Sequence, residues 1–199
     1  MEGTTSMREH RSVKLLTGDR RTREVRHWAE WLRRVPAIRR KFCRWSEDFD
    51  PFHSNEAASV AVLANAAAQV GYLAHTEYVA LKRHASRGRP FRQGRCDLWV
   101  AEVAEEISWE FEVKQHFAAA GLRPGTFEAK LDRAWRDARD VDRDEADRRV
   151  GCLVTVPRSD VKPGAEFIAH VDELSAGADV AFCIAGRLGP VWLTFRIVD

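Results

Sequence analysis

Asp97 is followed, after fourteen intervening residues, by the tripeptide Glu112-Val113-Lys114. Both groups fall in Gly94 to Gln115, which splits into two apolar-alternating runs, Arg95 to Ala101 and Ile107 to Gln115, around an acidic turn at residues 102–106. This pattern predicts a β-hairpin. On its second strand Trp109, Phe111 and Val113 share one face, and Glu110, Glu112 and Lys114 share the other, because strand side chains alternate. Charged groups in a row are costly on a dry face and fit the wall of a polar cleft. Folding about the turn brings Asp97 roughly opposite Glu112, and directly opposed side chains lie about 4.5–5.5 Å apart at Cβ. Two carboxylates that close repel unless a cation lies between them, and a hard ion such as Mg²⁺ takes its ligands from carboxylates, phosphate and water. Lys114, about 6.6 Å along the same face from Glu112, can then hold a water or a phosphate oxygen.

These residues resemble the D…(D/E)-x-K motif of the PD-(D/E)xK nucleases, the restriction-endonuclease-like superfamily. The proline before the aspartate is replaced here by Arg95-Cys96. The resemblance covers roughly Ser54 to Val156. It implies a metal-dependent phosphodiesterase reaction on nucleic acid, with DNA the expected substrate. Asp97 and Glu112 would hold Mg²⁺ (Mn²⁺ as a substitute), with the Val113 carbonyl as a further ligand. Lys114 would orient or activate the attacking water, and Gln115, next in sequence, would help to orient water or backbone. The stretch Gly71 to Leu81 is similar to the first helix of Holliday-junction-resolvase-like members, where a glutamate joins the metal site. That puts Glu77 in the catalytic set, with Glu56 as the weaker competitor. A second E-x-K, Glu128-Ala129-Lys130, lies in a helical stretch, where residues two apart point to nearly opposite sides, and reads as a solvated face.

The elements that must position these groups follow from periodicity. A basic helix is expected over Arg21 to Arg34 and a second over Ala37 to Trp45, separated at Pro36. A long helix is expected from a Ser54 cap to about Arg83. Its alanine-rich first half is apolar nearly all round and is suited to burial or to a homodimer contact. Lys82 to Arg95 reads as a basic loop feeding the hairpin. After the hairpin come a helix from Thr126 to Arg149, a buried strand at Cys152 to Val156, a helix from Gly164 to Leu174, and a second hairpin formed by Ala178 to Ala185 and Val191 to Val198. The expected fold class is α/β: a restriction-endonuclease-like mixed β-sheet flanked by helices at 51–199, with a basic helical N-terminal extension at 1–50.

The 199 residues are 45% hydrophobic, enough for one domain with a core. The net charge of +2 is unevenly placed: residues 1–45 hold thirteen Lys/Arg and five Asp/Glu, whereas the remainder is acidic. A basic arm suits a polyanionic partner. Phosphate contacts are expected from Arg87, Arg89, Arg92 and Arg95 in the loop and from Arg39 and Arg40 in the arm. The four cysteines lack zinc-ligand spacing and read as reduced residues of a cytoplasmic protein. No signal peptide and no membrane-spanning stretch are expected. The phosphate-loop signature is missing, which leaves nucleotide hydrolysis unsupported. The alternative function is a catalytically inactive module of the same fold that binds nucleic acid or a protein.

Overall fold

The computed structural model describes residues 12–83 and 91–198, with side chains omitted at 91 and 92. The chain is α/β, with a seven-stranded mixed sheet flanked by helices. The strands are β1 (Val13–Thr17), β2 (Leu73–Arg83), β3 (Phe91–Glu102), β4 (Ile107–Ala118), β5 (Arg148–Pro157), β6 (Val180–Ile184) and β7 (Val191–Val198). Their order across the sheet is β1-β6-β7-β5-β4-β3-β2. The helices are α1 (Arg23–Leu32), α2 (Val35–Trp45), α3 (Glu56–Ala68), α4 (Pro124–Asp140) and α5 (Ala165–Ala176). All pairings are antiparallel except β4 with β5. A parallel pair needs a crossover, and α4 supplies it.

β5 shows how the core divides. Val150, Cys152, Val154 and Val156 enter the larger cluster, under α1, α2 and α3. Leu153 points the other way, into a smaller cluster with Phe127, Leu131, Val171 and Trp192 from α4, α5 and β7. A strand buried on both faces reads as a near-continuous apolar run, as Val150–Val156 does with only Gly151 and the buried Thr155 departing from it.

The described part of the N-terminal segment, residues 12–50, is not a separate extension. β1 pairs with β6 at the sheet edge. Val25, Trp28, Trp31 and Leu32 of α1 are fully buried in the main cluster, where the Trp28 ring lies 4.6 Å from that of Phe195. The excess of arginine masked this role, because the apolar face of α1 is narrow and dominated by tryptophan. Pro36 opens α2 instead of interrupting it, since the first helical turn has no need of its N–H.

The predicted helix over residues 54–83 divides in two. Asn55 caps α3 by accepting from the Ala58 amide at 2.8 Å. The chain then leaves the helix through Gly71, at φ +90°, a left-handed conformation that glycine adopts without a Cβ clash. Residues 73–83 become β2, paired with β3 on both sides of Glu77. Val60, Val62, Leu63, Ala66 and Ala67 of α3 are buried in this chain's own core, while Ala57, Ala61 and Ala68 remain exposed. Among the described residues, no helix is long and apolar enough to cross a membrane.

Candidate active site

The hairpin forms where expected, and β4 divides its faces as the alternation requires. Trp109, Phe111 and Val113 lie in the main core. Glu110 and Glu112 on the opposite face are also buried, while Lys114 is only partly covered. The inner end of the charged face is therefore closed, not part of an open cleft, and the accessible region lies around Lys114.

The β3–β4 ladder runs from Glu102–Ile107 to Leu98–Phe111 and stops. At the next position the Asp97 side chain takes over the ladder's role: its Oδ2 accepts the Val113 amide at 2.7 Å. The β2–β3 pairing passes over Glu77 and Asp97, between Thr76–Leu98 and Tyr78–Cys96, and Glu77 has φ +53°. Alternation breaks at this point. Leu98 and Val100 face the main core, but Cys96 lies on the other side with Ala80 and Val141. A regular strand would have put Cys96 and Leu98 on one face. The break turns Asp97 toward the end of β4.

Lys114 Nζ lies 3.9 Å from Asp97 Oδ2 and 3.2 Å from Asp137 Oδ2 of α4, and donates to the Val113 carbonyl at 2.9 Å. Glu112 is held by the ammonium of Lys82, from the end of β2. Glu56, in the first turn of α3, accepts the Gln115 amide at 3.0 Å. Glu56 thus fills the place expected of Glu77. Glu77 is half exposed on β2 and 3.5 Å from Arg95, because the segment that carries it is a strand and not a helix. The Gln115 side chain accepts from Ser59 Oγ at 2.7 Å and donates to the Phe52 carbonyl. It ties β4 to α3 and is a positioning residue.

The carboxyls of this region are raised above their ordinary range. For Asp97 the main cause is burial, opposed by the Val113 amide and Lys114. For Glu112 it is burial and then Asp97, opposed by Lys82. For Glu56 it is again burial, opposed by Lys114. Burial would lower Lys114, but Asp97, Glu56 and Asp137 outweigh it and the ammonium is held above its usual value. Lys114 is therefore a proton-holding cation here, not a ready base. Negative charge exceeds what the lysines offset, and the donors facing it are oxygens, a set that fits a hard divalent ion.

The expected phosphate contacts fare unevenly. Arg87 and Arg89 lie outside the described residues, as does the Arg92 side chain. Arg95 is exposed and pairs with Glu77. Arg40 is exposed and lines a cavity with Arg44 and Arg187. Arg39 is not available to phosphate. Its guanidinium is buried, holds Asp50 Oδ2 at 2.6 and 2.9 Å, and donates to the carbonyls of Ile184 and Gly189. It passes where a Gly186 side chain would stand, since a Cβ there would lie 2.1 Å from Arg39 Cζ.

Comparison with protein-family models, curated proteins and solved structures finds no match to this chain.

Sequence reasoning did not select Lys82, Asp137 or Ser59 for the site. Lys82 was visible only as the first residue of a basic run, and Asp137 as one of many charges on α4. Neither carries a local signal for its partner, because each partner lies far away in sequence.

Proposed function

We propose that this chain is a metal-dependent nuclease of the restriction-endonuclease-like kind, a hydrolase of phosphodiester bonds with DNA as its substrate. The observation that carries this reading is the placement of Lys114 Nζ 3.9 Å from Asp97 Oδ2 where β3 and β4 part, with Glu112 on the same face of β4. Asp97, Glu112 and the Val113 carbonyl would hold Mg²⁺, with Glu56 close enough to add its charge. Once bound, the ion would polarise a phosphoryl oxygen and lower the pKa of a water. Lys114, kept protonated by its acidic neighbours, offsets charge developing on the phosphate and orients the attacking water. Asp97 fixes the Val113 amide, which sets the direction of the Val113 carbonyl and of Lys114. Gln115, Ser59 and Glu56 lock the end of β4 to α3, holding the site on rigid elements.

One observation favours the alternative, a module of this kind that binds without cutting. The Lys82 ammonium already engages Glu112, and an ion would have to displace it. Incubation of the purified chain with Mg²⁺ or Mn²⁺ and plasmid or single-stranded DNA separates the two. Metal-dependent cleavage that is lost in Asp97→Asn and Lys114→Met supports the nuclease. Salt-sensitive binding without cleavage of any nucleic acid rejects it in favour of the module.

A further inference from the structure

The charged face of β4 continues inward from Glu112 to Glu110, and a second cluster lies there. Among the described residues, one group of three has ligand atoms all within 4.8 Å of one another: Cys96 Sγ and one oxygen each from Glu110 and Glu112. All three residues are buried. Cys96 reaches the group because alternation breaks at Asp97. Tyr78, Ala80 and Val141 form the apolar surround.

Glu110 points to a ligand. It is fully buried, and neither carboxylate oxygen accepts from an N–H or O–H group; the Cys96 thiol of the same cluster is the donor beside it. The Tyr78 hydroxyl is also buried, with the Cys96 thiol as its polar neighbour. The nearby ammonium, Lys82, is engaged by Glu112. Arg149, the neighbour of Glu110 on β5, donates to the carbonyls of Arg139 and Val141. An unpaired carboxylate away from water is among the costliest groups to bury, and a metal ion is one of the few partners that can satisfy it in an apolar surround.

We infer that Cys96, Glu110 and Glu112 form a binding site for a thiolate-accepting divalent cation, of which zinc is the best fit. One sulfur and two carboxylate oxygens suit Zn²⁺ or Co²⁺ and disfavour Mg²⁺, which takes oxygen and water. Three protein ligands leave one position of a tetrahedron open. With Zn–S of about 2.3 Å and Zn–O of about 2.0–2.2 Å, the ligand atoms of a tetrahedral site stand about 3.4–3.6 Å apart. The observed ligand atoms, all within 4.8 Å of one another, would close to that spacing around a bound ion. Lys82 is the competitor: its ammonium is paired with Glu112 and has to give up that carboxylate when the ion binds. The site does not depend on nuclease activity, although Glu112 is common to both.

The test is a titration of the metal-free full-length chain with Co²⁺, read by the thiolate-to-cobalt charge-transfer absorption in the near ultraviolet. One equivalent is expected to develop the band, and Zn²⁺ to bleach it. Cys96→Ser should abolish the band. Glu110→Gln, nearly the same shape, should weaken Co²⁺ binding roughly tenfold or more, and Lys82→Met should tighten it. Asp97→Asn should leave the band in place. Circular dichroism confirms that each variant is folded. No band in the folded wild type, a band that survives Cys96→Ser, or one that disappears with Asp97→Asn overturns the inference. Magnesium-dependent cleavage without the band would defeat this inference alone, and the band without cleavage would defeat only the proposed nuclease function.

Discussion

Replacing Arg39 by Met removes a guanidinium that joins α2 to Asp50 and to the β6–β7 hairpin. Both side chains of the Arg39–Asp50 pair are no more than 2% exposed. Removing one partner of such a pair leaves the other charge buried alone and destabilises a fold by about 3–5 kcal/mol. The carbonyls of Ile184 and Gly189 lose a donor in the same step, which places the expected loss at the upper part of that range. For a chain of this size each kcal/mol moves Tm by about 2–4 °C, so a loss of about 4–5 kcal/mol should lower Tm by roughly 8–20 °C. Urea unfolding should show a lower midpoint with an unchanged slope, because the surface exposed on unfolding is the same. Asp50→Asn should destabilise too, and the double variant should lose less than the sum of the singles. In the folded state, Arg39→Met should bind DNA with the wild-type salt dependence. A Tm within about 2 °C of wild type, together with a shallower salt slope of DNA affinity, would refute the structural role and restore Arg39 as a phosphate contact.

Within the candidate active site, Lys114→Met should lower Mg²⁺-dependent cleavage by about 10²–10³-fold, the loss typical of one charge-stabilising group, while leaving DNA affinity nearly unchanged; equal losses in binding and cleavage would argue against the assigned role. Trp28→Ala should destabilise the chain by about 3–5 kcal/mol, since its ring packs against Trp109, Phe111 and Phe195; an unaffected denaturation midpoint would mean that α1 is dispensable to the core. His53 and His116 are both lowered from the ordinary value of 6.5, chiefly by burial. The unfolded chain therefore takes up their protons first as pH falls, and the stability they contribute is present above about 6.5 and is lost as pH drops through their folded values. Against wild type, His53→Gln and His116→Gln should flatten the fall in unfolding free energy below pH 6.5, and identical slopes in denaturant titrations at successive pH values would contradict this.

The amino-acid sequence by itself determined the hairpin, the two-faced β4, the crossover through α4 and the closing β6–β7 pair. In each of these, local alternation or helical periodicity agrees with burial in the fold. The approach of Asp97 to Lys114 was legible for the same reason, since the turn between the strands is short and register follows from it, but the paired register ends at Leu98–Phe111 and the Glu112 carboxylate is engaged by Lys82. Residues 73–83 misled because alanine, leucine and tyrosine at mixed spacing suit a helix as well as a strand. Their pairing with β3, more than any propensity of their own, made them β2. That change exchanged Glu77 for Glu56, since a glutamate on an edge strand faces solvent while one at the start of α3 reaches Gln115. Only the tertiary structure decided which charges are buried and with whom. Arg39 with Asp50, Lys82 with Glu112, and Glu110 with no N–H or O–H partner all depend on contacts between distant segments, or on their absence. The energy of a charge is set by the medium and neighbours around it, and a linear sequence specifies those only once it has folded.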